Sequence, residues 1–468
     1  MSVSTRPIPA LVAEVRLSSD PFAALASLAD AFVLRSSLPD AQGERARWTL
    51  FGAEPFASTR GGDAHAAIAA FRRTAADAGP NDEVRALGIP FAGGAVGYWA
   101  YDYGRRLERL PAVAADDLGL PDHVLGLYDV VGAHDHRSGR TWLVSTGMPA
   151  PHDSRAAHAR ARLDRFRRVL ESPVAAAPTA PNTTVRTARS TFAADAYRRA
   201  VGEVREAIAR GDLFQANLSQ RWRLPLADAH RHVRALDEAL RAHTPSPFAA
   251  TLALGDHAVL SASPERFLRV TGREVETRPI KGTRPRAADP TADHALAREL
   301  EASAKDRAEN VMIVDVLRND LGRVCEIGSV RVPTLFELER FPQVWHLTST
   351  VTGRLRPGVD AFDLLHACFP GGSITGAPKI RAMELLEHLE PVRRHLYTGA
   401  IGWVGWDGDA DWNIAIRTAV ATPDAIVWSA GGGITADSDP DAEYHESLVK
   451  GAGLRAALEH ALGPLTLA

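Results

Sequence analysis

A stretch rich in proline and threonine, residues 171–187 (ESPVAAAPTAPNTTVRT), constrains the organisation of this chain more than any other feature. It shows neither helical nor strand periodicity, and its prolines lack the amide hydrogen that helices and sheets need. The stretch therefore predicts a linker between an N-terminal region, residues 1–170, and a larger C-terminal region, residues 188–468. With 468 residues the chain is long enough to bury a large core.

The composition excludes several classes of protein. The chain has 54 Lys and Arg against 57 Asp and Glu, a formal net charge of −3, which predicts neither a nucleic-acid partner nor a membrane partner. Its two cysteines, Cys325 and Cys368, have no metal-ligand spacing and cannot form a disulfide framework, so we expect a reducing compartment. No apolar run approaches the length that spans a bilayer, and the first residues lack a secretion signal. These features predict a cytoplasmic protein.

One basic segment and one nearby carboxylate are candidates for chemistry. Residues 278–286 (RPIKGTRPR) hold Lys281 between a proline-fixed strand end and Gly282. By itself the segment is typical of a solvated surface loop, because clustered Arg and Lys are usually exposed. Glu265 follows a predicted strand in the phrase SPERF, where a carboxylate is more often a turn or cap residue unless a catalytic partner lies nearby.

Two pairs of acidic residues share the same spacing. Asp306 and Glu309 lie three residues apart on a helix predicted over about residues 295–321, hence on one face. Glu443 and Glu446 repeat this spacing on a second helix, which residues 437–440 (DSDP) open as a cap and first turn.

The acidic pairs allow two interpretations. The simpler one for Asp306 and Glu309 is a salt bridge within the protein, for instance to Lys305 or Arg318. Alternatively the two pairs converge, and four carboxylates would then need a divalent cation to offset their repulsion. Ligand sets made only of oxygen select a hard ion such as Mg²⁺. Spacing alone leaves both interpretations open.

Two glycine-rich stretches, predicted as loops, and one arginine complete the candidates. Residues 369–379 (FPGGSITGAPK) lead into an amphipathic helix, so their N–H groups either bind an anion or only support the packing of that helix. Residues 429–435 (SAGGGIT) contain three adjacent glycines, which favour close approach of the backbone to a ligand. Arg417, predicted within an apolar strand, must either pair inside the protein or face a carboxylate ligand.

In combination, these segments resemble the chorismate-utilising enzymes, which include component I of anthranilate synthase and of aminodeoxychorismate synthase. The resemblance is carried, in chain order, by GDLFQANLSQRW, SPERF, PIKGTRPR, DRAENVMIVDVLRNDLGRV, HLTSTVTG, PGGSITGAPKIRAMELLE, YTGAIG, WNIAIRT and AGGGITADSDPDAEYHESL. It covers nearly all of residues 192–458 and extends less specifically to PFAGGAVGYWAYDYGRRLERLP in the N-terminal third. The implied fold is α+β, with two large antiparallel sheets facing each other, helices outside, and the N-terminal third woven into the same body.

Two positions distinguish branches of the family that this chain resembles. Anthranilate synthases typically carry alanine after the Pro-Ile of PIKGT, and aminodeoxychorismate synthases carry lysine, which is Lys281 here. Isochorismate and salicylate synthases place a water-activating lysine where this chain has Gln215, which argues against addition of water at C2 of the ring. The resemblance therefore favours amination of chorismate at C4. Amination at C2, or a non-catalytic protein that binds chorismate as a scaffold, are the alternatives.

The resemblance also implies roles for individual residues. Lys281 would attack C2 of chorismate as a neutral amine, and Glu265 would protonate the departing C4 hydroxyl. Asp306, Glu309, Glu443 and Glu446 would hold Mg²⁺. The implied substrate contacts are a carboxylate clamp of Tyr397 and Arg417 beside Gly431, Gly432 and Gly433, together with Gln215, Thr283, His346, Ser373 and Lys450.

The resemblance implies a partner as well. The chain offers no glutaminase-like cysteine elbow with a following histidine and glutamate, so a separate glutamine amidotransferase subunit would supply ammonia. It also lacks a pyridoxal-phosphate lyase that would release pyruvate, so the product would pass to another enzyme on the route to p-aminobenzoate and folate.

Overall fold

The computed structural model describes residues 10–38, 47–78, 81–174 and 184–468. The strands are β1 (Leu11–Glu14), β2 (Phe32–Arg35), β3 (Trp48–Gly52), β4 (Ala57–Arg60), β5 (Gly94–Trp99), β6 (His123–Tyr128), β7 (Val130–Asp135), β8 (Thr141–Ser145), β9 (Arg186–Ser190), β10 (Gln215–Pro225), β11 (Phe248–Ala253), β12 (Ala258–Ser263), β13 (Arg266–Thr271), β14 (Glu274–Arg278), β15 (Ile280–Pro285), β16 (Arg331–Arg340), β17 (Val344–Arg354), β18 (Gly376–Ala377), β19 (Ala400–Gly405), β20 (Ala410–Ile414), β21 (Thr418–Ala421), β22 (Ala425–Ile434) and β23 (Leu465–Leu467). The α-helices are α1 (Pro21–Leu25), α2 (Ala64–Ala76), α3 (Asp82–Ala86), α4 (Gly104–Leu107), α5 (His152–Glu171), α6 (Ala194–Ala209), α7 (Val233–His243), α8 (Pro290–Ala302), α9 (Ala304–Gly322), α10 (Ala361–Cys368), α11 (Lys379–Leu389) and α12 (Pro440–Leu462).

The strands form two large sheets. Sheet 1 has the order β1-β8-β7-β3-β2-β11-β12-β21-β22-β10-β9-β23, with β18 paired to β10. Sheet 2 has the order β15-β17-β14-β13-β20-β19-β5-β6-β4, with β16 paired to β17. The strand pairs are antiparallel apart from β9 and β23, which run parallel. Both sheets contain strands from the N-terminal and the C-terminal parts of the chain.

Apolar side chains between the two sheets form one shared core. Phe32, Val259 and Val427 of sheet 1 pack in the same buried cluster as Tyr98 and Ile401 of sheet 2. Helices α1, α5, α7 and α12 cover the outer face of sheet 1, and α2, α9 and α10 cover that of sheet 2. The structure confirms the predicted α+β architecture of two facing antiparallel sheets with helices outside.

The glycines of β5, in the N-terminal third, lie where neighbouring strands leave no room for a side chain. Gly97 in β5 lies so close to β6 that a Cβ atom there would overlap the Val124 carbonyl oxygen. At its other edge, β5 pairs with β19 in a regular register. Only glycine allows this approach of backbones.

The predicted linker overlaps regular structure at both ends. Helix α5 ends at Glu171 and β9 begins at Arg186, while residues 175–183 lie outside the described residues. Strands that precede the linker pair with strands that follow it, since β2 pairs with β11 and β5 pairs with β19. The division into residues 1–170 and 188–468 stays a prediction. Both parts contribute strands to the same two sheets.

The predicted helix over residues 295–321 is wrong in one respect, since the structure contains two helices there. Helix α8 ends at Ala302 and α9 begins at Ala304, with Ser303 between them in an extended conformation. The Ser303 hydroxyl accepts a hydrogen bond from the Asp306 amide and so caps α9. Asp306 and Glu309 nevertheless share one helix, as predicted.

Two further local predictions are corrected. The sequence predicts a loop for the glycines of residues 429–435, but residues 429–434 belong to β22, which pairs with β10. Arg417 lies between β20 and β21 rather than inside a strand, with a left-handed φ of 51°. Helix α12 begins as predicted, because the Asp439 carboxylate accepts from the Ala442 amide. None of the described helices is both long and apolar enough to cross a membrane.

Candidate active site

Ser373 joins the two predicted catalytic residues. Its main-chain carbonyl accepts a hydrogen bond from Lys281 Nζ at 2.9 Å, and its hydroxyl donates to Glu265 Oε1 at 2.6 Å. Lys281 lies in β15 of sheet 2, Glu265 lies between β12 and β13, and Ser373 precedes β18 of sheet 1. Three distant parts of the chain therefore bring an amine and a carboxyl group to one point between the sheets.

Burial shifts the protonation of both groups towards neutrality. Burial raises the pKa of Glu265 to about 7, although the Ser373 hydroxyl and the charge of Lys281 act in the opposite direction. Burial also lowers the pKa of Lys281, an effect that the nearby Glu309 carboxylate partly offsets. A carboxylic acid and a free amine are the forms needed for a proton donor and a nucleophile.

Two side-chain amides lie beside this pair on β10. Gln215 and Asn217 are two residues apart and face the same side of the strand. Asn217 Nδ2 donates to the Ser373 carbonyl at 3.2 Å. Gln215 is fully buried, and neither its Nε2 nor its Oε1 has a hydrogen-bond partner in the described structure. A Cβ atom on Gly433 of β22 would overlap Gln215 Nε2, so the glycine makes room for this amide.

A neutral histidine and an unpaired arginine lie near each other. His346 Nδ1 and Thr283 Oγ1 are 2.8 Å apart, while buried His346 Nε2 has no partner among the described residues. Burial, with a smaller contribution from the charge of Arg417, lowers the pKa of His346 to about 3. Within the described structure Arg417 has no ion-pair or side-chain hydrogen-bond partner, and burial lowers its pKa. An unpaired guanidinium in such a place fits an anionic ligand.

The two acidic residues of α12 meet at Gly432. A Cβ atom there would lie 2.9 Å from Glu443 Oε2 and 3.3 Å from Glu446 Oε1. Glu443 Oε1 accepts a hydrogen bond from Ser438 at 2.6 Å, whereas its buried Oε2 has no described partner. Burial and the adjacent Glu446 raise the pKa of Glu443.

Of the acidic residues of α9, Glu309 lies close enough to this group for its charge to interact with that of Glu446. Burial raises the pKa of Glu309, and the charges of Asp306 and Glu446 act in the same direction. The Asp306 carboxylate is already paired with Arg284 at 3.1 Å, and Glu446 is paired with Lys450 at 2.7 Å. Within residues 10–38, 47–78, 81–174 and 184–468, no three His, Cys, Asp or Glu side chains are arranged to hold a metal ion as they stand.

Comparison with known proteins identifies the family. A model of the chorismate binding enzyme family matches residues 34–456. The chain belongs to this family. Aminodeoxychorismate synthase component 1 of Salmonella typhimurium is 46% identical over 77% of this chain and 76% of the relative. Anthranilate synthase component 1 of Streptomyces coelicolor is 45% identical over 80% of this chain and 74% of the relative.

A solved family structure has the same fold. The crystal structure of anthranilate synthase component I from Streptococcus pneumoniae matches this chain with a TM-score of 0.76 and 28% sequence identity. The match covers 94% of this chain and 99% of that chain. Overall identity to the two kinds of relative is nearly equal, so the individual residues of the cleft must decide between their reactions.

In this chorismate binding enzyme the contacts join some predicted residues and separate others. The contacts define three close groups: Lys281 with Ser373 and Glu265, Thr283 with His346, and the acidic pair of α12. Tyr397 has no described contact with Arg417; instead it lies near Arg394, and burial raises its pKa to about 12. Gly431 differs from its neighbours, because a Cβ atom there would overlap the Leu218 carbonyl oxygen of β10. Its lack of a side chain is explained by strand pairing.

Three contributors to the site were not predicted. Asn217, Ser438 and Arg284 each bond directly to a predicted site residue. Asn217 carried a usable signal, because it follows Gln215 by two residues in a predicted strand and must share its face. Arg284 had no such signal, since its contact with Asp306 joins β15 to α9, whereas Ser438 is only five residues before Glu443 in the segment that opens α12.

A cavity of about 320 Å³ lies elsewhere between the sheets. Its lining includes Arg35, Trp48, Phe248 and Trp403 and none of the predicted site residues. Arg35 is held there by Asp20 and Asp237. The cavity is therefore separate from the group around Lys281.

Proposed function

We propose that this chain aminates chorismate at C4, giving 4-amino-4-deoxychorismate through a covalent adduct with Lys281. The observation that supports this most is the contact of one residue, Ser373, with both a lysine amine and a carboxyl group of raised pKa. The name of the Salmonella typhimurium relative agrees with this reaction. Its alternative, amination at C2, has the Streptomyces coelicolor relative in its favour.

The first half of the reaction forms the adduct. The neutral amine of Lys281 attacks C2, the ring double bonds shift, and the bond between C4 and its hydroxyl oxygen breaks. Glu265 gives its proton to the departing hydroxyl, which leaves as water. At the end of this half, Lys281 is bonded to C2 as an ammonium and Glu265 is a carboxylate.

The second half transfers nitrogen to the ring. Ammonia attacks C4, the double bonds shift back, and the bond between C2 and the lysine nitrogen breaks, which restores the neutral amine of Lys281. The new C4 ammonium returns one proton to Glu265. The sum is chorismate and ammonia giving 4-amino-4-deoxychorismate and water, with the enolpyruvyl group retained.

Substrate carboxylates need cationic or polar partners in the cleft. Arg417, whose guanidinium has no partner among the described residues, would hold one carboxylate, with Tyr397 and the backbone of Gly432 and Gly433 alongside. Thr283 and neutral His346 would contact the ring and its hydroxyl, and Gln215 would offer its unpartnered amide. Lys450 would act through Glu446, with which it is paired.

The acidic group fits Mg²⁺. Burial, with a smaller contribution from the charge of Glu446, raises the pKa of Glu309 and of Glu443, and Glu443 Oε2 is buried without a partner among the described residues. Glu309, Glu443 and Glu446 would hold the ion, with Asp306, paired to Arg284, at the edge of the group. A bound Mg²⁺ would supply a Lewis acid for a substrate carboxylate.

The proposal includes a partner and a location. Component 1 in the names of the relatives fits a second component, and we propose a glutamine amidotransferase that supplies ammonia. The product would serve p-aminobenzoate and folate synthesis. A cytoplasmic location agrees with Cys325 and Cys368, which are both buried free thiols.

Product analysis tests the proposal. The wild-type protein and Lys281→Ala are each incubated with chorismate, Mg²⁺ and ammonium, and the products are identified by chromatography and mass spectrometry. We expect 4-amino-4-deoxychorismate from the wild type and at least about a 100-fold lower rate from Lys281→Ala. Anthranilate as the wild-type product would favour amination at C2, and no loss of chorismate at all would favour the non-catalytic scaffold. An unchanged rate in Lys281→Ala would exclude the covalent lysine.

A further inference from the structure

The Ser373 carbonyl receives two donors, and only one of them belongs to a predicted catalytic residue. Lys281 Nζ lies 2.9 Å from this oxygen and Asn217 Nδ2 lies 3.2 Å from it. A carbonyl oxygen has two lone pairs, so these two bonds complete its capacity. Ser373 is buried, and no other donor to its carbonyl is described.

Asn217 itself is fixed by its main chain. Its amide donates to the Thr375 carbonyl at 2.9 Å, and its carbonyl accepts a hydrogen bond from the guanidinium of buried Arg394. The residue sits in β10 between β18 and β22, opposite Gly433. The side-chain amide of Asn217 therefore extends from a strand whose main chain is held on both sides to the Ser373 carbonyl.

We propose that Asn217 is a positioning residue that fixes the Ser373 peptide and, through it, the direction of the Lys281 amine. This inference rests on the proposed covalent role of Lys281. A neutral amine has one lone pair, and bonding one N–H to a fixed acceptor restricts that lone pair to the two remaining positions around the nitrogen. The side chain of the same residue carries the hydroxyl that donates to Glu265, so movement of Ser373 would displace both reacting groups.

Removal of the Asn217 donor should therefore slow the first chemical step with little effect on binding of chorismate. Asn217→Leu keeps the approximate size of the side chain without a donor, and Asn217→Asp removes the donor in a second way if the leucine variant does not fold. Thr375→Val is the matched control. It removes a hydroxyl donor from the same loop, where Thr375 Oγ1 bonds to the Gly371 carbonyl and not to Ser373.

The measurement is the rate at which the protein gains the mass of the chorismate adduct. The protein reacts with chorismate and Mg²⁺ without ammonium, samples are quenched rapidly, and their intact mass is determined by mass spectrometry. We expect both Asn217 variants to form the adduct about 10- to 100-fold more slowly, since misplacement of a reacting group has effects of this size. The dissociation constant for chorismate should stay within about threefold of the wild-type value, and Thr375→Val should react within about threefold of the wild-type rate.

A second readout separates positioning from general support of the fold. In a Lys281→Ala background, Asn217→Leu should lower the residual ammonia-dependent turnover by a smaller factor than it lowers the wild-type rate, because only the displacement of Glu265 through Ser373 remains. Wild-type adduct rates in both Asn217 variants, or an equal loss in Thr375→Val, would overturn the Asn217 proposal alone. A wild-type protein that forms no adduct would instead remove the proposed function and this inference with it.

Discussion

The site has two halves, one around Lys281 and Glu265 and one formed by the acidic residues of α9 and α12. They differ in how many of their polar atoms have hydrogen-bond partners within the protein. Around Lys281 the amine, the Ser373 carbonyl, the Ser373 hydroxyl and Glu265 are bonded to one another. In the acidic half, Glu443 Oε2 is buried without a described partner, and the pKa of Glu309 and of Glu443 is raised. The first half is joined by hydrogen bonds within the protein, whereas the second contains two carboxyl groups whose pKa is raised by burial and by neighbouring carboxylates.

This difference separates what the fold provides from what a ligand must provide. The catalytic pair is arranged by protein contacts alone, so its geometry should not depend on an added ion. The charged forms of Glu309 and Glu443 are destabilised by burial and by the neighbouring charge of Glu446, which a cation would reverse. Substitutions in the two halves should therefore produce different kinds of defect.

Glu265→Gln should have the largest effect. The amide keeps the shape of the side chain but cannot give a proton to the departing hydroxyl, so we expect kcat to fall by about 10²- to 10⁴-fold with little change in Mg²⁺ requirement. Steady-state kinetics over a range of Mg²⁺ concentrations measures both quantities. A Mg²⁺ requirement that rises in parallel with the loss of kcat would remove the distinction between the halves.

Glu443→Gln should show the opposite pattern. Loss of one ligand charge should raise the Mg²⁺ concentration for half-maximal rate by about 10- to 100-fold, while saturating Mg²⁺ restores much of the rate. Glu459→Gln is the control, because Glu459 lies on the same helix but pairs with Arg455 near its end. If both variants need the same Mg²⁺ as the wild type, Glu443 does not hold the ion.

The pH dependence of kcat should report the catalytic half alone. Glu265 must be protonated to act as an acid, and its pKa is about 7, so the rate should fall as pH rises above 7. The Ser373 hydroxyl lowers this pKa; Ser373→Ala should therefore move the decline to higher pH by less than about one unit. A pH–rate profile of the two proteins at saturating Mg²⁺ tests this, and a shift to lower pH in Ser373→Ala would contradict it.

The sequence predicted the parts of the site that repeat along one element. The i, i+3 spacing placed Asp306 with Glu309 and Glu443 with Glu446, and the family resemblance of the motif around Lys281 marked this residue as the proposed nucleophile. It did not predict that Ser373 joins Lys281 to Glu265, because that contact depends on how sheet 1 faces sheet 2.

Local backbone features were missed for a related reason. Ser303 interrupts a helical pattern that apolar spacing alone would continue, and only its capping bond to the Asp306 amide reveals the break. Arg417 adopts a left-handed φ that its apolar neighbours do not signal. The facing sheets themselves followed from the family resemblance rather than from strand periodicity.

The covalent adduct is the most direct test of the central claim. The wild-type protein is mixed with chorismate and Mg²⁺ without ammonium, quenched, digested and mapped by mass spectrometry, and a second sample then receives ammonium. The account predicts that the peptide containing Lys281 gains the mass of chorismate less one water, and that ammonium removes this mass and releases 4-amino-4-deoxychorismate. Formation of that product at the full rate with no adduct on Lys281 would contradict it.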